Sequence, residues 1–456
     1  MFRRTWDNLP KDPVFEPDLE KLGYFINDID EVRNIADPQF YYKFFLTKNS
    51  RWNERQRFAF HEALEKEIHT RLEATGLTKL RLPLGAGPDD AHVPIFATPD
   101  LSSRSRVVVV VGESVQDLGV LAYRVVGGAG GINTGSLVNF TKALLVSPND
   151  SSSNGCSGGV DGNAAPPGLV IANPGQLWWW PQGRRALNEW SREAVPMPSA
   201  VHWGYTTLEE NRVPGNHDPA QHVQYLFNKY LPTVLGDKAI VDVIGIGDGA
   251  DAMHEFLDQE ANWEKWGPRL GSLAVLGAFF DGTQSRVAGF REFLRNRARA
   301  YVISAEPLDM PISGAEGNPK VGGFTSFGCT VYSSGETGVN ELIMIKAMDS
   351  VLAWLREVAK DPDYTNPQIV VTYGNIAEDG DGEETNGWGG GDSGEWREPD
   401  AVNEAGEKAD ETGGIKEETK WTKGENGKVK EEIEEMKEEV KQISEKTQQL
   451  AIKDEA

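Results

Sequence analysis

At 456 residues the chain can form one large domain of roughly 250–350 residues with an appendage, or two to three smaller ones, and 39% apolar content suffices for a sizeable core. A net charge of −24 excludes a broadly basic face for phosphate backbones, and two cysteines, Cys156 and Cys329, exclude a disulfide framework or a four-ligand zinc site. No apolar run reaches the ~18 residues of a membrane span; the longest, Val107 to Val111, reads as a buried strand.

The first thirty residues place prolines and acids where a signal peptide needs an apolar stretch, which predicts an intracellular protein. A first helix is predicted over about 53–75, with Asn53 as N-cap and Gly76 at C′. Its Phe60, Leu64, Ile68 and Leu72 form one apolar stripe. Strands follow at 79–84, 92–98 and 106–111, then a helical stretch at 117–126 and a strand at 168–173. Next come helix 217–231, strand 239–246, helix 250–258, strand 272–280, helix 286–298, strand 300–305 and helix 340–358. Continuous apolar strands alternating with helices predict a mainly parallel sheet with helices on both faces, occupying 1–358. The low-complexity stretch 147–167 predicts a disordered insert carrying Cys156. Cys329 precedes a strand-like Thr330-Val331-Tyr332, and both thiols read as bystanders.

The acidity is concentrated at the end. Residues 361–456 hold 27 acids against 11 bases, the rest of the chain 43 against 35. Residues 359–428 therefore predict a disordered, Gly-rich acidic tail. Beyond it, Val429, Ile433, Met436, Val440, Ile443 and Leu450 fall at heptad-type spacing among Glu and Lys, which predicts a charged helix over 429–450. So short a helix either docks on something or stays partly unfolded.

The most informative segment is Val241 to Ala250, where an apolar strand runs into small residues and then a helix. That is the layout of the α/β-hydrolase nucleophile elbow, G-x-S-x-G, and it puts Gly247 at the nucleophile position of Gly245-Ile246-Gly247-Asp248-Gly249. A frame shifted by one would offer Asp248 as nucleophile. The triad in this fold runs nucleophile, acid, histidine, yet the last of the seven histidines is His254, too early in the chain for the general base. Asp281, Glu306 and Asp309 lie where loop acids belong, and without a histidine to orient they read as turn caps. The expectation is an α/β-hydrolase-like domain without activity, with neither cofactor nor metal. A hydrolase using Asp248, or a water held by Asp309 and Glu306, is the rival.

The chain resembles the Argonaute-binding-protein-two domain family over about 16–358. The resemblance is carried by FEPDLEKLGYFINDIDEVRNI, RVVVVVGESVQDLGVLAYRVV, GLVIANPG, VDVIGIGDGA, AEPLDMP and SSGETGVNEL. It implies a subunit of an Argonaute siRNA chaperone complex, the C-terminal domain of fungal class II histone deacetylases, or an animal cotranscriptional regulator. Matched onto this sequence, the family's serine falls on Gly247 and its late histidine on Asn340, with Asp309 as the acid, so the triad positions read as vestigial. The oxyanion turn reads Val111-Gly112-Glu113-Ser114, whose carboxylate would repel an oxyanion. The implied role is scaffolding with Argonaute and its small RNA, the RNA contacted indirectly, in heterochromatic silencing. It is placed in the nucleus, with the cytoplasm also open. Histone deacetylases and heterochromatin factors are further candidate partners, and a deacetylase scaffold without an RNA link is a third reading; no membrane is expected.

Two groups of tryptophans stand out. Trp388, Trp396 and Trp421 lie in the acidic tail, and Trp388, flanked by Gly387 and Gly389, resembles the hooks that insert indoles into pockets on Argonaute. Trp178, Trp179 and Trp180 are adjacent, so they cannot all face one way; core packing is favoured, with at least one exposed or lining the cleft.

Overall fold

The computed structural model describes residues 8–145, 165–202, 206–321 and 323–371. Most of the expected insert, with Cys156, the tail with Trp388, Trp396 and Trp421, and the helix expected over 429–450 lie outside the described residues.

A hairpin of β1 (Tyr24–Ile26) and β2 (Val32–Asn34) leads through an exposed stretch to the long helix α1 (Ser50–Ala74). Then come β3 (Thr78–Leu82), β4 (Val93–Ala97), β5 (Arg106–Val111) and the helical segments α2 (Tyr123–Val126), α3 (Gly131–Thr134) and α4 (Leu137–Leu145). After β6 (Gly168–Ala172), β7 (Trp178–Trp180) and β8 (Arg185–Leu187) form a second, separate hairpin. The chain continues through α5 (Pro219–Tyr225), α6 (Leu231–Val234), β9 (Ile240–Ile246), α7 (Asp248–Leu257), α8 (Glu260–Trp266) and β10 (Leu270–Leu276). It closes with α9 (Ala288–Arg297), β11 (Ala298–Val302), β12 (Pro311–Ser313), β13 (Thr330–Ser333) and α10 (Ile343–Lys360).

Nine strands form the main sheet in the order β12-β13-β11-β10-β9-β5-β6-β4-β3. The run from β6 to β13 is parallel, while β4 and the edge strand β12 are antiparallel to their neighbours. Set β12 aside, and the strands cross the sheet in the α/β-hydrolase order, with the second one reversed. At the centre, Val107–Val111 are all buried between β6 and β9, which is why that run is apolar without alternation. The one charge in β9, buried Asp242, is held by the Arg106 guanidinium at 2.7 Å and the Ser272 hydroxyl at 2.6 Å.

Both faces of the sheet are covered. Phe227, Phe256, Phe290 and Leu294 fill one core, and Phe60, Leu64, Ile68, Phe140, Ala347 and Trp354 fill the other. Cys329 is buried in the first, and burial pushes its thiol well up. Past α10 the chain still packs on the domain: the buried Tyr364 hydroxyl accepts from the Trp354 indole at 3.1 Å, and the Asn366 amide donates to the Ala298 carbonyl at 2.6 Å.

Three expected elements are corrected. Helix α1 starts earlier, with Asn49 as N-cap accepting from the Trp52 N–H at 3.3 Å. Asn53 instead sits buried inside the first turns, where its side-chain oxygen accepts from the N–H groups of Leu46 and Thr47 and anchors the incoming chain. The stretch 117–126 is helical only over α2, and the strand expected over 272–280 ends at Leu276, where Gly277 turns at φ +64°.

Candidate functional site

The elbow forms where β9 delivers the chain to α7. Gly247 caps α7 with φ +52° and ψ −130°, a conformation that L side chains rarely adopt and that a nucleophile elbow imposes. Small neighbours are required on both sides. A Cβ on Gly245 would lie 2.5 Å from the Ala250 Cα, and one on Gly249 2.3 Å from the Gly112 carbonyl oxygen. The backbone of the elbow is therefore formed, with glycine at its apex.

Glu113 takes that place. A Cβ on Gly247 would lie 2.7 Å from both the Cγ and the Oε1 of Glu113, so this carboxyl stands over the elbow. Its pKa is pushed up to about 7, chiefly by burial and then by the carboxylates of Glu341 and Asp248. Next to it, the Ser114 hydroxyl donates to the exposed carboxylate of Asp248. The void beside Gly112 and Glu113 measures about 20 Å³, room for about one water molecule.

A raised value means that the folded chain keeps a proton that the unfolded chain releases near pH 4.3. Stability then falls as pH rises from about 4.3 to 7 and levels off above. Glu113→Gln is expected to change little at pH 4 and to stabilise by about 1–3 kcal/mol at pH 8, read by urea denaturation. An equal effect at both pH values would contradict this protonation of Glu113.

Each of the other triad positions has hydrogen-bond partners of its own. The Asn340 amide donates to the Gly277 carbonyl at 2.8 Å. Asp309, at φ +65°, turns toward α10, where its carboxylate accepts from the Ser350 hydroxyl at 2.6 Å, and on its other oxygen from Tyr301 at 3.4 Å. Asp281 caps a short turn by accepting from the Thr283 N–H and hydroxyl, and Glu306 contributes its backbone carbonyl to Ser333. His254 of α7 is stacked on Phe280 at 4.2 Å with its Nε2 against the Ser285 hydroxyl. Among the described residues no group of three or more His, Cys, Asp or Glu is placed to hold a metal ion.

The loop after β5 is held by a buried polar web that the sequence did not announce. Asp117 accepts from the Asn188 amide at 2.7 Å and from the Tyr123 hydroxyl. Gln176 receives the Leu118 N–H at 3.1 Å and donates to Glu65 of α1 at 2.7 Å. Arg185 of β8 closes the web with one guanidinium nitrogen 2.9 Å from Glu65 and another 2.5 Å from Glu62. Burial raises Asp117 to about 7, whereas Glu65 is held below its ordinary value by Arg185, against the opposing effect of burial. On the adjoining loop the Asn173 N–H donates to His222 Nε2 at 3.1 Å, so Nδ1 carries the proton shared with Asn216 at 2.8 Å. Burial holds that neutral imidazole down to about 3.

The tryptophan triplet is β7 itself, so its side chains alternate. Trp179 is buried against His92 at 4.7 Å, while Trp178 and Trp180 are half-buried on the other side. Trp178 donates to the Thr207 hydroxyl at 3.2 Å and, with Ser114, lines a depression of about 490 Å³.

Solved structures to which the chain is similar include three esterases. LipW from Mycobacterium marinum is 13% identical with a TM-score of 0.26; the alignment covers 53% of this chain and 55% of that one, so the chain spans little more than half of LipW's length. Esterase Est22 is 11% identical with a TM-score of 0.30, covering 69% of this chain and 89% of that one. An esterase from Pyrobaculum calidifontis is 11% identical with a TM-score of 0.28, covering 71% and 95%. No curated protein sequence matches. The Arb2 domain family matches residues 15–308, which takes in the first hairpin, the elbow and Glu306 but stops short of Asp309 and Asn340. The chain therefore belongs to the Arb2 domain family.

Proposed function

We propose that the chain is a non-catalytic scaffold or chaperone subunit that acts with Argonaute and its small RNA in heterochromatin formation and gene silencing. The observation that carries the non-catalytic part is the Glu113 carboxyl standing over Gly247, with Asn340 in place of a base. An elbow so filled offers neither a nucleophile nor a cleft for an acyl group. The Argonaute part is supported by membership in the Arb2 domain family. On this reading Trp388, Trp396 and Trp421 supply contacts to Argonaute, the RNA is reached through that partner, and the protein works in the nucleus.

The test is a tagged pull-down from native cells, read by mass spectrometry with small-RNA sequencing of the same eluate. Argonaute together with short RNAs is the expected result. An eluate with neither sinks the reading, and a histone deacetylase without RNA would replace it with the deacetylase scaffold. Alanine at Trp388 and Trp396 together is expected to lower Argonaute recovery; unchanged recovery removes the tail from the interface.

A further inference from the structure

A groove of about 640 Å³ opens near the elbow, lined by the first half of α1, the segment 41–44 and the stretch 115–128, with Gln116 common to the groove and to the void beside Glu113. Its aromatic walls are braced: Tyr42 stacks on Phe60 at 4.2 Å, and Tyr123 lies flat on His61 at 3.6 Å. Large apolar side chains stay wet around it. Trp190 and Val115 of the lining are 55% and 37% exposed, and Phe40 and Phe45, flanking the segment 41–44, are 64% and 76% exposed. A soluble domain keeps such a cluster open where something covers it.

Charge selects the occupant. Residues 38–58 carry Lys43, Lys48, Arg51, Arg55 and Arg57 against Glu54 alone, in a chain that is otherwise acidic. Arg51 and Arg55 are engaged by Asp12, Arg57 by Glu54 and Arg124 by Glu341. Lys43 and Lys48 are exposed and form no ion pair among the described residues. We infer that the groove binds an extended segment of another protein in which an aromatic side chain is flanked by carboxylates. The ring enters between Trp190 and the wall at 41–44, and the carboxylates meet Lys43 and Lys48. Single-stranded nucleic acid also uses aromatic platforms, but it needs a cationic track. Here the lining arginines are already paired and Glu341 faces the same space. The inference stands whichever protein supplies the segment.

The test uses the full chain and a labelled peptide Glu-Asp-Ser-Trp-Leu-Asp-Glu, followed by fluorescence anisotropy. Saturable binding is expected, weakened about tenfold or more by alanine for the peptide's tryptophan or by Val115→Glu. Lys43→Glu with Lys48→Glu is expected to weaken it about threefold or more, and added salt to weaken the wild type. Hydrogen exchange on the wild type, which needs no variant to fold, is expected to slow at 38–46 and 115–128 when the peptide is bound. The inference is overturned by no saturation up to millimolar peptide, by Val115→Glu binding as well as wild type, by protection elsewhere, or by a ten-uridine oligonucleotide binding more tightly than the peptide.

Discussion

Gly247→Ser is expected to destabilise the domain by about 2–4 kcal/mol and to produce no esterase. Two costs combine. The backbone at φ +52° and ψ −130° is strained for any L residue, and the new Cβ would enter the 2.7 Å space held by Glu113. Glu113→Gly in the same chain removes the second cost and leaves the first, so the double variant is expected to recover about 1–2 kcal/mol relative to additivity. Asn340 supplies a base to neither variant, because its amide donates to Gly277 and takes no proton from serine. Losing a nucleophile and its base together is worth on the order of a millionfold in rate, and restoring one of them restores little. Urea denaturation with p-nitrophenyl acetate hydrolysis reads both effects. A cost below about 0.5 kcal/mol, or a p-nitrophenol burst from Gly247→Ser alone, would contradict the account.

Arg185→Met is expected to be the costlier change, about 3–5 kcal/mol at pH 8, because it strands Glu65 and Asp117 in the web between α1 and the loop after β5. The sign of its pH dependence follows from Glu65. Arg185 holds that carboxyl below its ordinary value, so the guanidinium's contribution is present above the unfolded value near 4.3 and is lost as pH falls through the folded one. The penalty of the substitution should therefore shrink as pH falls, because a Glu65 freed from Arg185 but still buried takes up a proton that the paired Glu65 does not. Glu65→Gln in the Arg185→Met background is expected to return most of the loss. A variant that unfolds with the wild-type urea midpoint at pH 8 would show that the web contributes nothing.

Much of this was legible in the sequence because apolar runs and small-residue turns are local signals. The five valines of β5, the stripe of α1 and the glycines of the elbow each impose their structure within ten residues or so. The hairpins β1–β2 and β7–β8 and the edge strand β12 were not foreseen, since three-residue strands carry too little periodicity to read. Gly247 could be placed from the strand-to-helix layout of its own segment, whereas Asn340 was singled out only through the family resemblance. That Glu113 stands over Gly247, 134 residues away, could not, because nothing in either segment specifies the contact. The web of Glu65, Asp117, Gln176 and Arg185 joins four separate segments and leaves no pattern in any of them. Asn53 misled for the opposite reason: its residue type suits a cap, and its burial gave it another task.

The two borders of the main sheet also limit how other chains can attach. On one side β12 offers only three residues, the first of which, Pro311, has no N–H to give. On the other, β3 presents Lys79 and Arg81 within five residues and is followed at once by Pro83. Short borders that carry proline and cations are poor templates for an incoming strand. Lengthening of the sheet by a visiting polypeptide, and the fibre-like stacking that begins the same way, are both disfavoured, which leaves association to side chains and loops.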